Sequence, residues 1–476
     1  MQIKKILLLR IHPDIFDTIS YPFNIDPPFN LKYIQSLIRI HFNKAAVLKD
    51  GFIEKETKSS IINHIKKETY DLIIISSSIT NISESNKIAE SIKNFKESLV
   101  IGIGPGQIKN HAQRAICNLP YDIIILGESE YEIINIISSV NHKDNLKTII
   151  STYKNKFENK SFYLHEDLDL LPFPKYTKKE MSAYRLPYPV PVNKKVKWGI
   201  IIGSRGCNNS CLFCSEMVRT SFSRRLRLRS PKKIVDEMEF VMKSGANTIS
   251  FEDDSITANK DFIIALTNEI TRRNLNISWI ARARVDEINS QIIKNLKNAG
   301  CIHLGLGIES GNQRIINLLQ KQKNNSTQWH IHCKNAVKLC KMTGISTTAF
   351  FIIGNPTETI HEIKETIKFS LELNTDIIQV HFFTPYMDSN GYKLLNKNED
   401  KNKLNLHHYA TPTNNLSDVS DKQLIALRSN FYYQYIFRIK FIMSHIKKYL
   451  LFYIYNPENL LKNLSIIKAI FKQQNN

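Results

Sequence analysis

The segment GSRGCNNSCLFCS, from Gly203 to Ser215, brings Cys207, Cys211 and Cys214 into a stretch of eight residues. The chain has 476 residues but only seven cysteines, so three at spacings of four and three indicate a metal site rather than chance. A structural zinc site, the alternative, usually takes four ligands in two separated pairs, and no fourth Cys or His stands near this segment in the sequence. Three thiolates on one loop favour an iron–sulfur cube whose fourth iron stays open to another ligand.

The composition is typical of a soluble globular protein, with 42% hydrophobic and 23% charged residues, and the length corresponds to two or three domains. The formal net charge of +21 is compatible with a nucleic acid, a membrane surface or an anionic ligand as partner. The basic residues are spread along a chain that is also rich in Ile and Asn, so we favour a general compositional bias and expect no nucleic-acid partner.

The apolar run near the N-terminus is too short for the core of a signal peptide, and no long apolar stretch suggests a transmembrane segment. Four further cysteines are scattered at positions 117, 301, 333 and 340. A chain of this length does not need disulfide bonds, so we expect a reducing, cytoplasmic location.

Residues 1–144 alternate short apolar runs with amphipathic helices, which predicts a parallel sheet covered on both faces. We therefore predict an α/β fold that opens with a doubly wound, Rossmann-like domain, whose ligand lies at the carboxyl ends of the strands. The five runs are KKILLLRI, KAAVLKD, DLIIISSSIT, SLVIGIGPGQ and YDIIILGESE.

Residues 145–195 hold many of the prolines and are interpreted as a linker. Residues 196–395 contain six further strand-and-helix units, which predict a partial (βα)6 barrel of the TIM type with its chemistry at the carboxyl ends of the strands. The strand segments are WGIIIGSRG, TISFEDD, ISWIARARV, CIHLGLGIES, STTAFFIIGNP and IIQVHFFTPY. Polar residues follow these strands, namely the cysteine loop, Glu252–Asp254, Arg282, Arg284, Glu309, Ser310 and Asn355.

Residues 396–476 are predicted to be helical, and their segment YYQYIFRIKFIMSHIKKYLLFYIY is both basic and aromatic. A helical cap on the barrel is the favoured interpretation, and a helix on a membrane surface is the alternative.

The pattern Cys207-Asn-Asn-Ser-Cys211-Leu-Phe-Cys214 resembles the CxxxCxxC signature of the radical S-adenosylmethionine (SAM) enzymes. The resemblance implies a partial (βα)6 barrel and a 4Fe–4S cluster on Cys207, Cys211 and Cys214 that binds SAM and cleaves it to a 5′-deoxyadenosyl radical. It implies that Phe213 lies against the adenine and that Glu252 or Asp253 receives the methionine amine. The segments RARVD, with Arg284, and GLGIESGN look like later strand motifs, where Glu309 and Ser310 would reach the ribose or the carboxylate.

The first domain resembles the cobalamin-binding domain that precedes some radical SAM enzymes. Residues at its strand ends would then meet cobalamin: Ser76, Ser78, Gly104, Gly106, Gly127 and Glu128. The string Asp-x-His-x-x-Gly, whose histidine ligates cobalt in other cobalamin proteins, is absent, so loss of cobalamin is an open alternative. Plain turn glycines are a second alternative, and a nicotinamide site at GIGPG is a third.

Together these resemblances imply a cobalamin-dependent radical SAM methyltransferase. It would methylate an unactivated carbon or a phosphinate phosphorus of a small molecule, peptide or lipid, with an external electron donor such as flavodoxin or ferredoxin. The alternatives are a radical cyclase or rearrangement enzyme without methyl transfer, a methylthiotransferase, and a regulator that binds cobalamin or nucleic acid without catalysis. The methylthiotransferase is disfavoured because those enzymes carry three further cysteines in an N-terminal domain, where this chain has only Cys117.

Overall fold

The computed structural model describes most of the chain as two compact units. The first unit contains the described residues up to 184 together with Arg225, and the second contains those from 189 to 214 and from 226 onward. The described residues are 2–12, 27–54, 56–78, 81–113, 118–142, 144–184, 189–214, 225–322, 328–386, 389–395 and 411–472.

The first unit is built on a five-stranded parallel sheet with the order β2-β1-β3-β4-β5. Its central strands are rich in Ile and Leu and are buried on both faces, as parallel strands covered by helices must be, whereas the edge strand over residues 46–50 is partly exposed. The strands are β1 (Ile6–Arg10), β2 (Ala46–Asp50), β3 (Leu72–Ser76), β4 (Leu99–Ile103) and β5 (Ile123–Ile124). A separate short parallel pair joins β6 (Leu126–Gly127) to β7 (Phe162–Tyr163).

Alternate residues of the first sheet enter two different cores. Ile6 and Leu8 pack in a cluster with side chains of α1 and α6, whereas Leu7 and Leu9 pack in a cluster with side chains of α3 and α4. Helices therefore cover both faces, and the predicted doubly wound domain is confirmed. The helices are α1 (Phe29–Phe42), α2 (Gly51–Glu54), α3 (Lys58–Lys67), α4 (Ile82–Phe95), α5 (Gln107–Gln113), α6 (Glu130–Asn141), α7 (Leu146–Glu158) and α8 (Lys178–Ala183).

The segment 145–195 was predicted to be a linker, but its first part is folded into the first unit. It begins with α7, whose Tyr153 belongs to the core of the first unit, and the unit extends to Tyr184. The difference has a physical reason: residues 146–158 carry apolar side chains at helical spacing and no proline, and the prolines begin only at Pro172.

The second unit contains a six-stranded parallel sheet with the order β15-β14-β13-β12-β11-β8, which follows the order of the strands in the chain. This arrangement confirms the six predicted strand-and-helix units of a partial barrel. The strands are β8 (Trp198–Ile201), β11 (Thr248–Phe251), β12 (Ser278–Ala283), β13 (Cys301–Glu309), β14 (Ser346–Ile353) and β15 (Ile377–Phe382), with a separate antiparallel pair of β9 (Ser204–Arg205) and β10 (Arg227–Leu228).

The helices of the second unit begin and end at recognisable caps. Ser230 accepts a hydrogen bond from the Lys233 amide and precedes Pro231, while Thr359 and Glu362 form a capping box. The barrel helices are α9 (Pro231–Lys243), α10 (Lys260–Arg272), α11 (Ser290–Asn298), α12 (Gln313–Leu318), α13 (Trp329–Thr343) and α14 (Ile360–Leu373), followed by α15 (Asp421–Ile436), α16 (Ile439–Tyr455) and α17 (Pro457–Lys472).

The last helices confirm the predicted helical C-terminal region, whose residues 396–410 lie outside the described part of the chain. Tyr435 on α15 donates a hydrogen bond of 2.6 Å to the Thr375 carbonyl, and Lys448 on α16 pairs with Asp376 at 2.7 Å. These contacts tie α15 and α16 to the start of β15. None of the helices in the described part combines the length and the apolar character that crossing a bilayer requires.

Candidate active site at the cysteine loop

The cysteine loop leaves β8 and is closed at its base by a short antiparallel pair. Arg205 lies opposite Arg227, so the chain enters and leaves the loop side by side. Within the loop, the Leu212 amide donates to the Leu319 carbonyl at 2.9 Å, and the Leu212 carbonyl accepts from the Gly391 amide at 2.9 Å. Leu212 is thus fixed by hydrogen bonds through both its amide and its carbonyl group. Residues 215–224 lie outside the described part of the chain.

The three cysteines of the loop differ in burial, and none of them is in a disulfide bond. Cys211 is buried, whereas Cys207 and Cys214 are half-buried. Nη1 of Arg284 lies 3.9 Å from Sγ of Cys211, and Nδ2 of Asn209 lies 3.5 Å from Sγ of Cys207. A cation and an amide donor therefore face the sulfur atoms, as suits a ligand set that carries negative charge.

Within the described ranges, no three His, Cys, Asp or Glu side chains are gathered closely enough to hold one metal ion. Three cysteines on one loop are the protein ligands that a 4Fe–4S cluster with one open iron takes.

A buried charge network lies beside Cys211. Nη2 of Arg284 is 2.8 Å from Asp286 and donates to the Lys321 carbonyl at 2.7 Å. Lys321 in turn pairs with Glu309 at 2.7 Å, and both side chains are buried. Burial acts to lower the pKa of Lys321, but the charges of Glu309 and Cys211 outweigh it and raise the pKa, so the amine keeps its proton.

Two aromatic rings adjoin this network, because Nζ of Lys321 lies 5.5 Å from the ring of Phe213 and 5.7 Å from that of Trp329. The ammonium group of Lys321 therefore lies near the ring of Phe213 and also pairs with Glu309. Sequence reasoning missed Lys321 and Trp329, since neither belongs to a strand-end motif. The only signal was that Lys321 lies shortly after the end of α12 at Leu318, in a chain where lysines are common everywhere.

Glu309 has an unusual backbone conformation at the end of β13. Its φ is +66°, and the register of β13 against β14 shifts between Gly307 and Glu309. A Cβ atom on Gly307 would lie 2.5 Å from Oε1 of Glu309 and 2.9 Å from Nζ of Lys321, so a larger residue there would displace this ion pair. The next residue, Ser310, is fully buried and its Oγ lies 3.0 Å from Oγ1 of Thr366.

The carboxylates after β11 have separate surroundings. Asp253 is buried and accepts hydrogen bonds from the Gly203 amide at 2.9 Å and from Oγ of Ser204 at 2.5 Å. Burial raises the pKa of Asp253, and these two donors oppose that shift. Glu252 is half-buried and pairs with Arg282 at 2.9 Å. Asp253 therefore anchors the start of the cysteine loop, whereas Glu252 stays partly accessible.

In the first unit, the loops after β3 and β4 pack directly on each other. The Gly106 amide donates to the Ser77 carbonyl at 2.9 Å. A Cβ atom on Gly104 would lie 2.6 Å from the Ser77 carbonyl oxygen, and one on Gly106 would lie 2.4 Å from that of Ser78. The contact between the two loops by itself explains these glycines.

The remaining predicted residues of the first unit lie on the same sheet or on the short pair beside it. Ser76 accepts a hydrogen bond of 2.9 Å from Asn30, and the Ser78 amide donates to Asn81 at 2.7 Å. Gly127 has a φ of +89°, and Glu128 is buried, where it accepts a hydrogen bond of 2.6 Å from the His165 amide.

The comparison with protein families decides the class of the second unit. Residues 201–370 match the sequence model of the Radical SAM superfamily. The match begins at the last residue of β8 and ends within α14, so it contains the cysteine loop and the charge network. This part of the chain is a radical SAM domain. The cofactors of radical SAM enzymes are a 4Fe–4S cluster and SAM, and three thiols on one loop with Arg284 beside them fit such a cluster.

Known proteins resemble more of the chain than the radical SAM domain. An uncharacterized methyltransferase of Pyrococcus horikoshii is 28% identical over 428 residues, which are 88% of this chain and 90% of that protein. The anaerobic magnesium-protoporphyrin IX monomethyl ester cyclase of Rubrivivax gelatinosus is 30% identical over 226 residues, which are 47% of this chain and 39% of the cyclase.

Among solved structures, the radical SAM methyltransferase TsrM from Kitasatospora setae, with cobalamin and a 4Fe–4S cluster bound, aligns with a TM-score of 0.64 at 14% identity. The alignment covers 83% of this chain and 78% of TsrM. At that identity the likeness shows a shared fold across both units.

Proposed function

We propose that this chain is a cobalamin-dependent radical SAM methyltransferase that acts on an unactivated carbon or a phosphinate phosphorus of a small molecule, peptide or lipid. The observation that carries the proposal is the combination, in one chain, of a radical SAM domain with a preceding sheet of order 2-1-3-4-5. TsrM, which shares this fold, binds cobalamin and is a methyltransferase, and a relative aligned over 88% of the chain also bears that name.

In this proposal Cys207, Cys211 and Cys214 hold the cluster, whose chemistry is the one-electron reductive cleavage of SAM. Arg284 and Lys321 place two cations next to the buried Cys211. Positive charge beside the ligands favours the reduced, more negative state of a cluster. An external donor such as flavodoxin or ferredoxin would supply the electron.

The remaining predicted residues take separate parts in binding SAM. Asp253 already accepts two hydrogen bonds from the start of the cysteine loop, so we assign it to positioning that loop. Glu252 is half-buried and is assigned to the methionine amine. Phe213 offers its ring to the adenine. Glu309, held by Lys321, is assigned to the ribose or the carboxylate, while Ser310 supports the chain at its hydrogen bond to Thr366.

The first sheet fits cobalamin at its topological switch point. In the order 2-1-3-4-5, ligands bind outside the carboxyl ends of β1 and β3, where neighbouring connections leave in opposite directions. Small residues occupy this edge, with Ser76 at the end of β3, Ser78 after it, and Gly104 and Gly106 after β4, so no bulky side chain stands at these positions against a large flat ligand. When bound, cobalamin would supply a methyl group.

The proposed reaction is tested by counting products of the anaerobically reconstituted protein under reductant. Methyl transfer predicts about one S-adenosylhomocysteine for each 5′-deoxyadenosine, because one SAM donates methyl and another is cleaved. Absorption spectra of the same sample should show cluster and cobalamin bands together. A cluster band with no cobalamin bound would overturn the proposed methyl transfer.

A radical cyclase is the second candidate, supported by the 30% identity to the anaerobic cyclase. This reaction predicts 5′-deoxyadenosine without matching S-adenosylhomocysteine. A non-catalytic regulator predicts binding of the cofactors with neither product.

A further inference from the structure

Helix α16 has apolar side chains on two opposite faces. One face packs inside the protein, where Tyr449 and Phe452 are buried and the hydroxyl of Tyr449 is hydrogen-bonded to Oγ of Ser346. The other face, which we call the outer stripe, is open to solvent. Its members recur every three or four residues and are 51% to 77% exposed: Ile439, Met443, Ile446, Leu450 and Ile454.

Helix α17 carries further exposed apolar residues. Its Leu460, Leu461 and Leu464 are all exposed. The two helices are joined by a hydrogen bond of 3.0 Å from Nδ2 of Asn463 to the Tyr453 hydroxyl. Single exposed apolar residues are ordinary, but eight on two adjoining helices mark a surface that meets an apolar partner.

The charges beside the outer stripe specify the chemistry of that partner. Lys440 and Lys447 are exposed, and each directly follows a residue of the stripe, so both lie along one flank of it. The sequence from Arg438 to Tyr455 contains no Asp or Glu. A second copy of the chain would bring the same lysines together without acidic partners. The surface of an anionic lipid bilayer is apolar beneath a layer of negatively charged headgroups, so it complements both the outer stripe and the lysines beside it.

The dimensions of α16 agree with such a surface. Its 17 residues span about 26 Å at 1.5 Å per residue, which is less than the roughly 30 Å of a bilayer core. The buried Tyr449 and Phe452, together with the ion pair of Lys448 and Asp376, hold the second half of α16 on the second unit. The helix can therefore lie in the plane of a membrane while its inner face stays packed on the protein.

We propose that α16 and α17 dock this protein on the surface of an anionic lipid bilayer. The outer stripe enters the boundary between headgroups and acyl chains, and Lys440 and Lys447 pair with lipid phosphates. The docking is independent of the reaction proposed above, and it provides a route to substrates held at a membrane.

The test is co-sedimentation of the full, reconstituted chain with vesicles. Phosphatidylcholine vesicles containing phosphatidylglycerol should bind the protein, and vesicles of phosphatidylcholine alone should bind it much more weakly. Binding to the anionic vesicles should fall as salt rises. Absence of binding to anionic vesicles at low salt overturns the proposal.

Two sets of variants, one at methionines and one at lysines, distinguish binding through the outer stripe from nonspecific apolar or electrostatic binding. Met443→Asp should weaken binding by about tenfold or more, because a Met side chain that the bilayer would bury is replaced by a charge. Met342→Asp changes an equally exposed methionine on α13 and should leave binding unchanged. Each of Lys440→Gln and Lys447→Gln should weaken binding about fivefold, whereas Lys338→Gln on α13 should not.

Circular dichroism melts verify that each variant folds, and sedimentation velocity without lipid detects self-association. Suppose that the wild type forms a dimer, that Met443→Asp abolishes this dimer, and that both proteins bind vesicles equally. The outer stripe would then be a contact with a second copy, and the membrane proposal would be overturned.

Discussion

The two sheets present different kinds of residue at the carboxyl ends of their strands. In the first unit, Ser77, Gly104 and Gly106 bond to or pack against one another, so the edge is shaped by backbone contacts between neighbouring loops. In the second unit, Glu309 takes part in a buried ion pair and Arg284 in a partly buried one beside the cysteine loop. The comparison shows that strand-end position alone does not define a role. A backbone edge suits a large ligand bound by shape, whereas a charged edge suits a compact ionic centre.

The largest effect is expected at the cysteine loop. Cys214→Ala should abolish cluster assembly and the release of 5′-deoxyadenosine, because a cube held by three cysteines then loses one of its protein ligands. Iron and sulfide analysis with electron paramagnetic resonance measures the loss. Cys340→Ala removes a buried thiol on α13 and should retain the cluster. Cleavage of SAM by the Cys214→Ala protein would refute the site.

The role of the charged edge is tested by removing one partner of its buried ion pair between Lys321 and Glu309. Lys321→Met leaves Glu309 buried without its cation and should reduce the free energy of unfolding by about 3–5 kcal/mol in denaturant titrations. Adding Glu309→Gln to the same chain should recover much of that loss, since no unpaired charge remains. An unaltered unfolding midpoint for Lys321→Met would mean that the pair is not buried in solution.

At the backbone edge we expect a loss of stability even in the absence of ligand, because its glycines are needed for the contact between the two loops. Gly106→Ala places a Cβ atom 2.4 Å from the Ser78 carbonyl oxygen and should lower the stability of cobalamin-free protein by about 1–3 kcal/mol. Chemical denaturation of the cobalamin-free protein measures this. If stability is unchanged and only the affinity for hydroxocobalamin falls, the glycine serves the ligand instead.

The smallest effect concerns pH and Glu358, which accepts hydrogen bonds from Asn355 after β14. Burial raises the pKa of Glu358 to about 8 from its ordinary value of 4.5. The folded state therefore binds more protons than the unfolded state between these values, and stability from this group is lost as pH rises through about 8.

Replacing this carboxyl by a neutral amide should flatten the pH dependence. The melting temperature of Glu358→Gln should fall less than that of wild type between pH 4.5 and 8. Glu362→Gln is the matched control, because its hydrogen bonds with Arg314 lower the pKa of Glu362 to about 2 and keep it ionised throughout this window. Equal slopes for wild type and Glu358→Gln would contradict the assignment.

Much of the architecture was predictable from local patterns. Every predicted strand of both units is present, because Ile- and Leu-rich runs between amphipathic helices have few other ways to bury their side chains. Helix α7 was not predicted, because the prolines elsewhere in residues 145–195 indicated a linker for the whole segment. Lys321 was missed because its importance comes from contacts with Glu309 and Phe213, which stand at a distance in the sequence.

The sequence by itself determined the two parallel α/β units and the trio of cysteines, since both follow from spacing along the chain. Only the tertiary structure decided which strand-end residues are engaged by their own neighbours and which are gathered as charges around Cys211. It also decided that α16 packs on one apolar face and leaves another exposed. The reason is that burial and pairing depend on which elements meet, and that information is not carried by any single segment.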